Sequence, residues 1–356
     1  MTGRSPQTRA SRVSPHLLPA RGALAVAAAM VLMPVFAAAA PESTGSVAAL
    51  RRRALAGDSC AMCNLALAYE RGTGVRRDYA KAVQWYRKAV AAGQPTAMNN
   101  LGTMYEKGHG VARDYAKAVQ WYRKAALAGE SLAMNNLGVM YQKGRGIPRD
   151  YTKAIHWFRK AADAGDSAGM NSLGLTYKHG EGVSRSYPAA VHWFTQGANA
   201  GSSRAMNNLG TMYQKGLGVP RNNAKAATCY RKAADAGQPV AMNNFGYMYK
   251  HGLGVRQSYS EALRWFTKGA NAGDTGAMNN LGVMYMNGDG VDKDLHRARS
   301  WLDKAAAKGD ATAKRNLRIL RERRFGPFGE LQLPVALGVL VVVLVARWLK
   351  RRRAAA

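Results

Sequence analysis

Acidic residues and cysteine are scarce in this chain. Its 356 residues include 21 Asp and Glu against 52 Lys and Arg, which gives a formal net charge of +31. It contains three cysteines, and no second Cys or His pair lies close to Cys60 and Cys63, which argues against a metal site. The phosphate-binding pattern G-x-x-x-x-G-K-[ST] and the zinc-protease pattern H-E-x-x-H are also missing. The sequence therefore predicts a protein that is not an enzyme and that needs no cofactor or metal.

Internal repetition is what the chain has in abundance. A 36-residue pattern occurs seven times without insertion or deletion, and its copies start at Ala61, Ala97, Ala133, Gly169, Ala205, Ala241 and Ala277. A fixed period of this length indicates a solenoid, in which each unit contacts mainly its neighbours. We therefore expect the function to reside on the long surface of the array.

Each repeat is predicted to form two antiparallel helices, A and B. Helix A can begin at a proline such as Pro95, and it ends at a Gly-x-Gly pair such as Gly108 and Gly110. Gly102 permits close approach of the two helices, and the Met and aromatic residues form the core. Aspartates that precede a Tyr-x-Lys-Ala run are expected to cap helix B, namely Asp78, Asp114 and Asp150.

The pattern A-x-x-N-L-G-x-x-Y-x-x-G-x-G-V-x-x-D-Y-x-K-A-x-x-W-[YF]-x-K-A-A-x-A-G closely resembles the Sel-one-like repeat (SLR) family, a relative of the tetratricopeptide repeats. This resemblance implies a right-handed superhelical scaffold that binds proteins. We expect an all-α protein: a right-handed, tetratricopeptide-like α-solenoid of seven helix-turn-helix repeats at residues 61–312. A capping half-repeat is expected at 46–60 and a basic capping helix at 313–324.

Both ends of the chain carry membrane-targeting patterns. Residues 1–40 combine a basic start with an apolar, alanine-rich stretch, which predicts a signal peptide, or alternatively an uncleaved anchor. Residues 331–349 are apolar and precede a Lys-Arg-Arg-Arg run, which predicts a transmembrane helix with a short basic cytoplasmic tail at 350–356. A buried core helix is the alternative. The expected location is a single-pass protein of a bacterial inner membrane, with its repeats on the periplasmic side.

The polar side of helix A is the candidate partner-binding surface. An Asn can hold an extended peptide through the peptide's main-chain groups, and one row of asparagines runs beside a row of basic residues. Neighbouring positions vary, from Thr103 to Tyr247, which suits local specificity. The candidate residues are Asn99, Asn135, Asn171, Asn207, Asn243, Asn279, Lys107, Lys143 and Lys215. The expected partners are extended polar or acidic protein segments, with the membrane as a further partner through the C-terminal helix.

Several alternatives stay open from the sequence. An anionic envelope polysaccharide or a neighbouring membrane sensor is the runner-up partner, and solvated side chains explain the asparagine and lysine rows without any partner. The cysteine spacing permits a thiol redox role, although a disulfide between residues three apart on a helix requires distortion. Because Cys63 replaces an asparagine of the row, we expect it to be exposed. The basic charge is spread over helix B and both flanks, which argues against nucleic acid as the main ligand.

Overall fold

The computed structural model describes the backbone of residues 47–325 and the side chains of residues 47–321. Within this range the chain forms sixteen α-helices and no β-strand. The helices are α1 Val47–Leu55, α2 Ser59–Arg71, α3 Tyr79–Ala91, α4 Pro95–Lys107, α5 Tyr115–Leu127, α6 Ser131–Lys143, α7 Tyr151–Asp163, α8 Ser167–His179, α9 Tyr187–Asn199, α10 Ser203–Lys215, α11 Asn223–Asp235, α12 Pro239–His251, α13 Tyr259–Asn271, α14 Thr275–Asn287, α15 Leu295–Ala307 and α16 Ala311–Phe325.

Each repeat pairs one even-numbered helix A (α2 to α14) with the odd-numbered helix B that follows it (α3 to α15). Every helix B also packs against the helix A of the next repeat, and α1 and α16 pack on the two ends of this series. The all-α solenoid of seven repeats predicted from the sequence is thus confirmed. It arises because each repeat buries one side against its own partner helix and the other against its neighbour.

Local sequence signals set the helix boundaries. Gly108 ends α4 in the left-handed conformation, with a φ of 72°, which a residue with a side chain adopts at a cost. The Asp114 carboxylate accepts a 2.9 Å hydrogen bond from the backbone N–H of Lys117 and so begins α5. Asp78 and Asp150 do the same for α3 and α7. In repeat 4, Ser186 takes this role.

The core lies between helix A and helix B of each repeat. Large side chains at equivalent positions of helix B are fully buried there, including Tyr86, Tyr122, Phe158, Phe194 and Phe266. Gly102 faces the ring of Tyr122, and a Cβ atom built on it would lie 2.9 Å from the ring carbons. The small residue therefore sets how closely α4 and α5 approach, as the sequence predicts.

The predicted fold class needs one correction. Among residues 47–325, no helix is long and apolar enough to cross a membrane. The transmembrane helix that we predicted at 331–349 is therefore not part of the fold class, and the single-pass membrane location that depended on it is withdrawn. That segment, the basic tail at 350–356 and the predicted signal peptide at 1–40 lie outside the described residues. The prediction used the hydropathy of one short stretch and the basic run that follows it, and neither carries information about packing.

Candidate functional site on the helix A face

Side-chain amides link each helix A to the helix A of the next repeat. We count each repeat from position 1 at its start (Ala61, Ala97 and so on). The position 3 side-chain oxygen then accepts a hydrogen bond from the position 4 side chain that lies 37 residues later. The rungs of this amide ladder measure 2.8–2.9 Å and join Asn136 to Asn99, Ser172 to Asn135, Asn208 to Asn171, Asn244 to Asn207, Asn280 to Asn243 and Asn316 to Asn279.

The ladder partly buries the asparagines of the candidate binding row. Asn99, Asn135, Asn171, Asn207 and Asn279 are at most 9% exposed, and Asn243 is half-buried. A helical wheel places them on the polar side of helix A, but the neighbouring repeat covers them. Except in Asn99, their Nδ2 atoms have no acceptor within the described residues, and none of these nitrogens is sealed from solvent. Their role in partner binding stays a prediction.

The candidate lysines occupy the last position of helix A. Lys107, Lys143 and Lys215 are all exposed at position 11. His179 and His251 occupy the same position in repeats 4 and 6 and are exposed as well. Partial burial and the neighbouring Lys250 lower the pKa of His251. The lysines and the amide ladder are carried by the same A helices, and Lys215 lines one depression with Asn244 of the ladder. We call this surface the helix A face.

A second set of contacts joins position 10 of one repeat to position 13 of the next. In these cross-repeat pairs, Arg145 lies 3.8 Å from the Glu106 carboxylate, Gln142 donates to Glu181 at 2.6 Å, and Lys250 lies 3.0 Å from Asp289. The sequence interpretation missed these residues. Aligning the repeats could have found them, because positions 10 and 13 change together at a spacing of 39 residues.

Position 10 is also tied to the core in repeats 1, 2 and 5. There the buried tyrosine of helix B donates a hydrogen bond to a Glu or Gln at position 10: Tyr86 to Glu70, Tyr122 to Glu106 and Tyr230 to Gln214, at 2.7–2.8 Å. Repeats 4 and 6 have a phenylalanine on helix B and a lysine at position 10. Since a buried hydroxyl needs an acceptor, each repeat with a buried tyrosine on helix B has a Glu or Gln at position 10.

A shallow depression of about 570 Å³ opens on this surface between repeats 5 and 6. It is lined by Gln214, Lys215, Arg221, Asn244, Tyr247 and Leu253. Tyr247 is 41% exposed, and its ring lies 4.3 Å from that of His251. The depression therefore combines two cations with an exposed aromatic ring and an aliphatic side chain.

The cysteines are placed differently from one another. Cys60 is exposed and accepts a hydrogen bond from Gln94 at 3.2 Å, whereas Cys63 is buried. The expected exposure of Cys63 is therefore wrong, because the residue takes an asparagine's place in the amide ladder, 3.9 Å from Asn100 Nδ2. Burial raises the pKa of the Cys63 thiol to about 11. A thiol with a raised pKa is a poor nucleophile, which weakens the redox alternative.

Residues 165–169 read Gly-Asp-Ser-Ala-Gly, which matches the G-x-S-x-G pattern of nucleophilic serines. That pattern requires a turn from a strand into a helix, whereas here the turn joins α7 to α8. The Asp166 carboxylate accepts hydrogen bonds from the backbone N–H groups of Ala168 and Gly169. The segment therefore serves as a helix cap. Within the described residues, no group of three His, Cys, Asp or Glu is placed to hold a metal ion.

The paired helices and their regular linkage define an α-solenoid scaffold. The family model described as Sel1 repeat matches residues 61–94, 95–130, 131–166, 167–202, 203–238, 239–274 and 275–310. The chain therefore belongs to the Sel1 repeat family, as its resemblance to the Sel-one-like repeats predicts. Proteins of this family are generally non-enzymatic helical scaffolds that bind protein partners.

Two solved structures are similar over most of the chain. One is c5321, a protective antigen of uropathogenic Escherichia coli with an SLR fold, at 35% identity and a TM-score of 0.54, covering 78% of this chain and 67% of that one. The other is a Sel1 repeat protein from Oxalobacter formigenes, at 30% identity and a TM-score of 0.58, covering 68% and 96%. A search of the curated proteins finds no match.

Proposed function

We propose that this protein is a scaffold that binds extended polar or acidic segments of other proteins along its helix A face. The observation that carries the proposal is the hydrogen bonding of the asparagine row. The ladder fixes each oxygen and so orients the amide, while the Nδ2 atoms of Asn135, Asn171, Asn207, Asn243 and Asn279 keep their hydrogen-bonding capacity. A row of oriented donors suits the carbonyl groups of an extended chain, and the preset geometry limits the entropy lost on binding.

The lysine row supplies the charge preference. Lys107, Lys143 and Lys215 are exposed at the last position of helices that also carry ladder asparagines. None of the three has a carboxylate within 4.0 Å in the described part of the chain. Cations without a partner favour acidic segments and speed their association. We retain the candidate residues named from the sequence as the proposed binding surface, with Nδ2 as the binding atom of the five asparagines in which it has no acceptor.

A library of random 12-residue peptides displayed on phage tests this proposal. The full chain selects binders, which are then synthesised, and their affinities are measured. Replacing Lys107, Lys143 and Lys215 by Gln should weaken binding by about tenfold or more, since hydrogen bonds to charged groups contribute about 1.5–3 kcal/mol. The matched control replaces three exposed lysines of helix B by Gln (Lys88, Lys124 and Lys160), and it should leave affinity nearly unchanged. Equal losses in the two variants would place binding elsewhere.

A second pair of variants isolates the amide nitrogen. Asn135→Asp and Asn207→Asp retain an oxygen that accepts the ladder bond but remove the Nδ2 donor. Peptide affinity should fall while helix content, followed by circular dichroism, stays at the wild-type level. Unchanged affinity in both variants would contradict a role for the asparagine row.

A further inference from the structure

The cross-repeat pairs are interrupted at two adjacent junctions. Between repeats 4 and 5, and between repeats 5 and 6, position 13 holds Leu217 and Leu253 instead of a polar residue. Lys178 occupies position 10 at the first of these junctions and has no carboxylate partner among the described residues. Its counterpart Lys250, two repeats later, lies 3.0 Å from Asp289.

The surroundings of Lys178 disfavour its charge. The side chain is half-buried, and burial lowers its pKa, with the nearby Lys215 lowering it further. The acidic residue closest to Lys178 in the sequence is Glu181, and its carboxylate accepts a hydrogen bond from Gln142 instead. A half-buried cation without a counter-ion is energetically unfavourable. Binding of an anion beside Lys178 therefore stabilises its charged form.

Apolar groups adjoin the unpaired cation. Leu217 stands where a partner of Lys178 would stand, and the next repeat contributes Leu253 and the exposed Tyr247 to the depression that also contains Lys215. Leu217, which takes the place of the partner of Lys178, follows Lys215 by two residues, and Lys215 lines the depression together with Tyr247. The two cations and the aromatic ring therefore belong to one surface. Such a surface matches a ligand with one negative group and one apolar group.

The repeat spacing fixes the distance between these two groups. The unpaired cation faces the junction of repeats 4 and 5, and the depression lies at the next junction, one repeat further on. Successive A helices lie roughly 10 Å apart, and an extended chain advances about 3.3 Å per residue, so this interval corresponds to about three residues. We propose that repeats 4 to 6 form a docking site, beside Lys178, Lys215 and Tyr247, for an extended protein segment with an acidic side chain about three residues from a large apolar one. This inference rests on the proposed function and specifies where and what the helix A face binds.

Peptides selected on the full chain by phage display test the inference first. Their sequences should share an Asp or Glu about three residues from a large apolar residue. Peptides that respond to the lysine row but lack this motif would overturn the inference and leave the proposed function intact. If no peptide is enriched, or if the peptides do not respond to the lysine row, both proposals fail.

Two variants eliminate the unpaired cation by different routes. Lys178→Gln removes the positive charge. Leu217→Asp keeps Lys178 and gives it a carboxylate partner within the chain, as Asp289 does for Lys250. Both should weaken a synthetic motif peptide by about tenfold or more. Leu217→Asp is built on an arrangement that already occurs in the chain, so its fold should persist, which thermal unfolding checks. The control Lys250→Gln makes the same change at a paired lysine and should leave affinity unchanged. Wild-type affinity in Leu217→Asp would overturn the inference.

Discussion

Cys63 is the one residue that weakens the amide ladder. Its sulfur lies 3.9 Å from Asn100 Nδ2, whereas the other rungs measure 2.8–2.9 Å. Asparagines at the equivalent position of other repeats are buried to a similar degree. The site therefore has room for an asparagine, and sulfur is a weaker acceptor than an amide oxygen.

Cys63→Asn should therefore stabilise the protein. Completing the first rung exchanges a weak contact for a hydrogen bond, which contributes about 0.5–1.5 kcal/mol. The free energy of unfolding in urea measures the gain. Cys60→Asn, an exposed change three residues earlier, is the control and should have little effect. A loss of stability in Cys63→Asn would show that the thiol is held there by packing.

A substitution at Asn223 should also raise the stability of the protein. Its Oδ1 is buried without a hydrogen-bond partner among the described residues, and most repeats have a tyrosine at this position, such as Tyr151 and Tyr259. Asn223→Tyr removes the unsatisfied oxygen, so the free energy of unfolding should rise by about 1–2 kcal/mol. Thermal unfolding measures the change. Asn222→Ala, which removes the neighbouring helix cap, should lower the stability in the same assay.

At the scale of single helices, local sequence signals were sufficient to predict where each helix begins and ends. An Asp before a Tyr-x-Lys-Ala run and a Gly after the last turn are local features, and the structure places both as predicted. Burial of Cys63 and of the asparagines was not predictable from the helical wheel, because the covering atoms belong to the next repeat. The unpaired Lys178 was missed for the same reason, since its missing partner lies 39 residues away at Leu217.

The capping aspartates make stability depend on pH. Hydrogen bonds from the backbone N–H groups of Lys81, Lys117 and Lys153 lower the pKa of Asp78, Asp114 and Asp150 below 3.8. A carboxylate with a lowered folded pKa contributes stability above its unfolded pKa, and this contribution is lost as pH falls through the folded value. Acid should therefore weaken these caps at pH below about 4.

Replacing the three aspartates by Asn tests the predicted direction of this pH dependence. Asn222 shows that an amide caps helix B with the same geometry, accepting from the backbone of Lys225 at 2.9 Å. The urea midpoint of the triple variant should thus fall less between pH 5 and pH 2 than that of the wild type. Asp166 and Asp274, whose pKa values are raised by burial, are present in both proteins, so their opposite contribution cancels in the comparison. Parallel pH profiles would contradict the assignment.

For the whole array, the two kinds of inter-repeat contact differ in what they require of a neighbour. Apart from the first rung, where Cys63 stands, every rung joins an asparagine oxygen to an Asn or Ser donor, so the ladder does not depend on the order of these repeats. The cross-repeat pairs differ from junction to junction: Arg145 with Glu106, Gln142 with Glu181, Lys250 with Asp289. They therefore depend on the order of the repeats.

Deleting residues 133–168 separates the two effects. This removal of repeat 3 lets Ser172 complete a rung with Asn99, but it places Glu181 opposite Glu106. The shortened chain should fold, and Glu181→Arg within it should raise the free energy of unfolding by about 0.5–1 kcal/mol, since the pair is partly exposed. Urea unfolding measures the difference. The same substitution in the full chain is the control and should not stabilise, because it removes the acceptor of Gln142.

The ladder has a consequence for how such a chain can change in length. An in-register duplication or loss of one 36-residue stretch of coding sequence leaves every amide oxygen with a donor, so the product can fold at once. Substitutions at positions 10 and 13 can then give each copy its own neighbour preference. A junction without such a pair, as at Lys178 and Leu217, is free to bind a ligand from outside the chain.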